Sequence, residues 1–299
     1  MSTSGANRKM KLSTKKALVG FSFILPNFLG FFIFILIPVA FSFVLSFMEW
    51  DGFNEMQFTG LNNFIAIFNE RNFRSALSKT IIFTIVTTFL TLLASLGLAM
   101  LLNMGLKFTN FFRSAIFFPY VASIVSVAVV WKLLFMKDFG PINQFLQMLG
   151  VSDPPGWIAS TQWALPAVMI VYVWKNMGYY MIVYLAALQD VPQELHEAAC
   201  IDGATKLQRF LKVTVPTIMP ATLFVIMMLI INSFKSFDLI FALTEGGPGI
   251  ATTLLSNYIY NKAFISFNYG HTSAAAFILF LIIGAITIFQ FWIEKKLSD

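Results

Sequence analysis

Tyr172, Asn176 and Tyr179 stand at i, i+4 and i+7, the spacing that places three side chains on one face of an α-helix. Aromatic rings beside an amide can cover the apolar face of a sugar while the amide donates and accepts at its hydroxyls, a usual mixture in small-ligand pockets. Lys175 and Tyr180 flank this face, and a second polar group, Asn232 and Ser233 with Lys235 and Asp238 just beyond, closes another apolar run. The same residues also fit a plainer set of roles as interfacial tyrosines, snorkelling lysines and interhelical hydrogen bonds. Other chemistry has little to work with. Cys200 is the only cysteine, so no internal disulfide forms, and only His196 and His271 could join it around a metal, which is therefore not expected. Gly246-Gly247-Pro248-Gly249 has the look of a phosphate loop but lacks the Gly-Lys-Ser/Thr ending, and reads as a turn. No acid-base or nucleophile constellation stands out, so no catalytic residue is assigned.

The elements that must carry these residues follow from composition. Of 299 residues, 58% are hydrophobic and 11% charged, against roughly 25% charged in a soluble domain. The 35 phenylalanines lie in long apolar runs, and the net charge of +6 forms no stripe interleaved with exposed aromatics, so nucleic acid is not an expected partner. The expected fold is all-α and polytopic. A helix crosses the hydrocarbon layer in about 20 residues. Six stretches qualify: Ala17 to Met48, Thr80 to Leu106, Ser114 to about Met136, about Gln162 to Leu188, Val213 to Phe234, and about His271 to Ile293. Prolines 26, 38, 119, 166, 216 and 220 fall in or at these spans as kinks or first turns.

This divides the chain into a tail at 1–16, a first span at 17–48, a loop at 49–79, a core at 80–293 holding the other five spans, and a tail at 294–299. An even span count puts both termini on one side. Twelve of the twenty lysines and arginines then fall on that side, six on the other and two inside spans, so the termini are expected in the cytoplasm. The 32 uncharged residues from Ala17 are too long for a signal peptide and lack a small-x-small cleavage site, which marks them as a retained span.

The loop at 190–216, between spans four and five, has its own local logic. Asp190 and Gln193 have capping-box spacing and Pro192 suits a first turn, so a helix is expected from about Pro192 to Ile201. Asp202-Gly203 is a turn signal, after which Lys206 to Val213 form a second helix leading back into the membrane. Glu197-Ala198-Ala199, then Gly203 after three residues and Val213-Thr214-Val215-Pro216 after nine more, resembles the EAA loop of binding-protein-dependent ABC importer permeases, with valines where isoleucine and leucine are usual.

That resemblance implies a six-span permease of the type I ABC importer kind in a bacterial or archaeal cytoplasmic membrane. It implies that Glu197, Ala198, Ala199, Asp202 and Gly203 dock on an ATPase subunit. The implied partners are a second homologous permease subunit, two ATPase subunits that use ATP and magnesium, and an extracytoplasmic sugar-binding protein. This chain itself would need no cofactor. A second similarity, in Thr244-Glu-Gly-Gly-Pro-Gly-Ile-Ala-Thr252 with Leu254, Tyr258, Tyr260 and Phe264, and in Thr59-Gly-Leu-Asn-Asn-Phe64, looks like the sugar permeases of the maltose and glycerol-3-phosphate type. Tyr172, Asn176, Tyr179, Tyr180, Asn232 and Ser233 then become candidates for the substrate path. A secondary transporter or channel for a small polar solute is the rival reading. It would show an inverted repeat or an embedded ion relay, and neither is apparent.

Overall fold

The computed structural model describes residues 12–105 and 107–298. The tail expected at 1–16 therefore lies largely outside the described residues, as does Leu106, where the second span was expected to end. Helices dominate, and the strands among the described residues are a two-residue antiparallel pair, β1 (Met48–Glu49) and β2 (Gln57–Phe58). The first span consists of α1 (Leu12–Phe31), a π-helical turn (Phe32–Leu36) and α2 (Ile37–Leu45). The widened turn has a cause in Pro38. A proline inside a helix lacks its N–H and crowds the carbonyl four residues earlier, here Phe34, and a π-turn relieves that crowding. α2 ends at Leu45, three residues short of the expected end at Met48, and the chain turns from Ser46.

After β2 come α3 (Asn62–Asn69) and α4 (Arg71–Asn103), the second span. At 33 residues α4 is roughly 50 Å long, more than the hydrocarbon thickness of about 30 Å, and its charged residues, Arg71, Arg74 and Lys79, all lie in its first three turns. The third span was expected as one helix. Instead α5 (Thr109–Val121) and α6 (Ile124–Leu134) meet at 99°. Pro119 sits in the last turn of α5, and extended backbone at Ala122 and Ser123 turns the chain. α7 (Pro141–Met148) and a short 3₁₀ turn (Trp157–Ala159) lead to α8 (Ala164–Gln189), the fourth span.

The loop that follows holds α9 (Gln193–Ile201) and α10 (Lys206–Arg209). A second π-turn (Phe210–Thr214), α11 (Val215–Thr217) and α12 (Met219–Phe234) make the fifth span, bent by 66° between α11 and α12. This π-turn also lies just before a proline, Pro216. α13 (Asp238–Thr244), α14 (Leu255–Phe264) and the sixth span α15 (Tyr269–Ser298) complete the chain. Three unbroken spans and two bent pairs are long and apolar enough to cross a membrane. α8, with 26 residues, is long enough as well.

α8 packs along α4 and against α5, α12 and α13. Its buried side chains fall into two apolar groups. Val168, Val171 and Tyr172 join Phe83, Val127, Leu239 and Ile240; Tyr180, Met181, Tyr184 and Leu185 join Ala99, Leu102, Val225 and Leu229. A third group, with Ile67, Phe73, Leu255, Tyr258 and Ala274, seals the end bearing α3, α14 and the start of α15. Toward its neighbours α4 turns a stripe of buried hydroxyls, Thr80, Thr84, Thr87, Thr91 and Ser95. Thr80 and Thr87 donate to the carbonyls four residues back, at 2.8 and 2.6 Å, so small polar side chains pack closely without leaving those donors bare.

The closest approach is at Gly178 of α8. A β-carbon there would lie 2.1 Å from the Ile116 carbonyl oxygen and 2.9 Å from the Phe117 α-carbon, both backbone atoms of α5. Only glycine fits. Gly178→Val should therefore separate α5 from α8 and cost about 1–3 kcal/mol or more. Thermal unfolding of the detergent-purified complex would show it, and an unchanged melting temperature would contradict the backbone contact.

Candidate functional site

The six candidates for a substrate path converge on one region but divide into two layers. Tyr172 is buried with its ring edge-on to Phe83, 5.1 Å between centroids. Its hydroxyl accepts from Ser233 Oγ at 3.1 Å, and Ser233 Oγ lies 3.3 Å from Thr87 Oγ1. These three hydroxyls tie α8, α12 and α4 together, so Tyr172 and Ser233 sit within the helix interface. Tyr180 is also buried, and its hydroxyl accepts from Asn232 Nδ2 at 3.2 Å. Asn176 donates to the Tyr172 carbonyl at 2.8 Å and is half-buried.

The outer layer is aromatic. Tyr179 stacks on Tyr120 of α5 with centroids 4.6 Å apart and planes 19° apart, and it meets Tyr180 edge-on at 5.1 Å. The i, i+4, i+7 face thus runs from an interior hydroxyl at Tyr172 to an accessible ring pair at Tyr179. The sequence reading missed Tyr120 and Thr87. Both lie on other spans, and only the Pro119-Tyr120 dipeptide at a helix end marked the first. The aromatic pair can cover an apolar ring face, and the Asn176 amide stands one helical turn away to engage hydroxyls.

At the other end of α8 the loop forms a hairpin rather than an unstructured connection. Its turn is a Schellman closure: Ala204 N–H donates to the Ala199 carbonyl at 3.0 Å and Gly203 N–H to the Cys200 carbonyl at 3.1 Å. Gly203 has φ +78°, the left-handed conformation that glycine adopts without strain. The expected capping box at Asp190 and Gln193 is absent. Pro192 occupies the N-cap and has no N–H to offer, and Gln193 instead donates to Glu197 at 2.8 Å. The box forms on α10, where Thr205 and Gln208 cap each other at 2.8 and 3.3 Å.

Among the described residues, nothing covers the hairpin's outer surface. Glu197, Ala198, Asp202 and Gly203 are exposed, Ala199 is half-buried, and Ile201 is 87% exposed. A β-carbon on Gly203 would meet no atom within 4 Å. On the inner side His196 lines a cavity of about 200 Å³ with Met100, Asn103, Leu188 and Phe210. His271 belongs to the start of α15, so the two histidines do not meet.

The glycine-rich loop is a turn held by hydroxyls. Thr244 and Thr252 are 2.7 Å apart, Thr252 donates to the Gly247 carbonyl at 3.0 Å and Thr253 to the Gly246 carbonyl at 3.1 Å. It is fastened to α4, whose Lys79 donates to the Ile250 carbonyl and whose Thr80 hydroxyl accepts from Leu255 N–H at 2.8 Å. Glu70 takes Tyr258 OH at 2.7 Å and Lys262 Nζ at 3.1 Å. Burial, and then the hydrogen bond to the Glu70 carboxylate and its charge, push the Tyr258 phenol above its ordinary pKa and keep it a donor.

Residues 64–299 match the family described as the binding-protein-dependent transport system inner membrane component. The trehalose/maltose transport system permease protein MalF of Thermococcus litoralis is 33% identical over 94% of this chain and 95% of its own length. The lactose transport system permease protein LacF of Rhizobium radiobacter is 34% identical over 93% of this chain and 94% of its own. Among solved structures, a chain of a bacterial ABC transporter involved in the import of the acidic polysaccharide alginate superposes with a TM-score of 0.84 at 22% identity, covering 96% of this chain and 98% of that one. That likeness is one of fold.

If Tyr172 and Ser233 act as an interhelical tie, Tyr172→Phe and Ser233→Ala should each lower thermal stability. Their coupling in a double-mutant cycle should be about 0.6 kcal/mol, the average for hydrogen bonds between membrane helices. Strict additivity would remove the tie.

Proposed function

The chain belongs to the family of binding-protein-dependent transport system inner membrane components, and on that premise we propose that it carries a sugar or related carbohydrate across the cytoplasmic membrane as one of two permease subunits. The reading rests on the Schellman hairpin, a two-helix surface with small residues that is uncovered among the described residues. Such a surface suits a cleft in a separate ATPase subunit, and Glu197, Ala198, Ala199, Asp202 and Gly203 are the residues that would enter it. ATP and magnesium would be used there, with no cofactor held by this chain.

Carbohydrate is the substrate class supported by the names of the relatives and by the tyrosine and amide wall. A second permease subunit would face that wall, and an extracytoplasmic binding protein would deliver the sugar. ATP and the loaded binding protein shift the inward and outward states only through their different affinities for the two. The proposed orientation puts the hairpin and both termini in the cytoplasm, following the excess of lysine and arginine on that side.

Uptake of labelled maltose, trehalose, lactose and raffinose by cells with and without this chain tests the function, which would be refuted if removal of the chain left uptake of all sugars intact. Orientation can be read from the exposed Cys200. An impermeant thiol reagent should label it only after the membrane is opened, while a cysteine at Gly249 in a Cys200→Ser background should react in intact cells. The reverse pattern would invert the topology. Gly203→Val should cost the fold only about 1 kcal/mol of backbone strain, since space around the position is open. Binding-protein-stimulated ATP hydrolysis should nevertheless fall, because the added side chain stands where a docked subunit must sit. Normal stimulation and normal uptake in this variant would dismiss the hairpin as the coupling element.

A further inference from the structure

Lys175 lies eleven residues into α8, roughly 17 Å from its start, and is half-buried. An unpaired ammonium at that depth is strongly disfavoured. Its nitrogen instead donates to three carbonyls at the break of the third span: Pro119 at 3.0 Å, Tyr120 at 3.1 Å and Ala122 at 2.9 Å. An ammonium has three N–H donors, so one carbonyl falls to each. These acceptors are the ones a helix end leaves without partners, and here the chain turns by 99° before α6 resumes the ladder. A cation at a helix C-terminus also meets the negative end of its dipole. One turn further along α8, Gly178 lets the α5 backbone come into contact, and Tyr179 takes the ring of Tyr120, whose own carbonyl Lys175 holds.

From this arrangement we propose that Lys175 is a positioning residue, pinning the broken third span to the fourth and so holding Tyr120 against Tyr179 in the wall past which the carbohydrate moves. The second half of that statement rests on the proposed substrate path; the pin itself is geometric, and the two are tested separately. A sugar interacting with the stacked rings requires their spacing to be fixed before it arrives, since a ring that must first be ordered weakens binding.

The geometric arm uses no sugar. In the assembled complex with Cys200→Ser, cysteines at positions 120 and 179 should be joined by a short bifunctional thiosulfonate. Adding Lys175→Met should lower the yield about fivefold or more, the change expected when a charge-assisted tie is lost, and Lys175→Arg should retain most of it. An undiminished yield in Lys175→Met would overturn the pin. Should that variant fail to assemble, Lys175→Gln, with two donors and no charge, carries the same comparison.

The functional arm measures initial uptake of radiolabelled maltose, or of whichever sugar in the panel the wild-type complex takes up, against concentration. Lys175→Met and Tyr120→Leu should each raise the half-saturation concentration by about tenfold with a smaller effect on maximal rate, the pattern of lost binding. Combined, they should do no more than the larger single change, because one acts through the other. Multiplied effects would mean that Lys175 touches the sugar itself, which overturns the positioning role. Lost cross-linking with unchanged half-saturation in Tyr120→Leu would keep the pin and overturn the substrate wall.

Discussion

A helix that breaks within a membrane span leaves peptide carbonyls without the N–H groups a continuing helix would bring them, and everything around the break must answer for that. Here the third span turns by 99°, and the ammonium of Lys175 receives the stranded carbonyls. A helix that bears such a cation at mid-depth, with an asparagine beside it, cannot turn that face to lipid. α4, α5 and α12 accordingly enclose α8, and the apolar groups along it form where those helices meet. The outermost helix has the opposite character. In the first span almost every phenylalanine from Phe21 to Phe43 is exposed, since lipid is its solvent and no internal partner is required.

The hydropathy pattern marked six apolar stretches, and helices occupy each of them, three unbroken and two bent pairs being long and apolar enough to cross a membrane, because runs of apolar residues respond to the bilayer segment by segment. It located the ends less well. α4 begins nine residues before the expected Thr80 because a helix can continue past the membrane surface wherever its own backbone bonds are satisfied. The breaks were marked by Pro119 and Pro216, but a proline reports only which hydrogen bond is missing. The turn itself lies in the extended backbone of Ala122 and Ser123, whose neighbouring carbonyls are met by a lysine more than fifty positions away, and no local pattern contains that partner.

The same distinction runs through the candidate sites. Asp202-Gly203 was legible as a turn because the left-handed conformation is a property of one residue, and Gly203 adopts it. The capping box was misplaced by fifteen residues of sequence although the rule was sound: it requires an N–H at the N-cap, which Pro192 lacks and Thr205 has. On α8 the helical spacing of Tyr172, Asn176 and Tyr179 was correct, yet spacing cannot tell which end of a face meets a neighbour. Tyr172 found Ser233 and Thr87 on two other spans, while Tyr179 found Tyr120. Partners of this kind follow from the packing of the whole bundle.

The ties are also unevenly distributed, and their distribution bears on how motion at one end reaches the other. At one end Glu70, Lys79 and Thr80 fasten the glycine-rich loop and α14 to α4, and midway the Thr87, Ser233 and Tyr172 hydroxyls join three spans. A packed region fixed at several points responds to force as a body, because its contacts are lost together or not at all. At the opposite end the hairpin reaches α12 through a π-turn, Pro216, a bend of 66° and Pro220, a stretch in which two residues have no N–H to give. Stiffness therefore falls abruptly at the hairpin's root. α9 packs on α10 and on that π-turn, so a displacement imposed on α9 meets this root before it meets the spans.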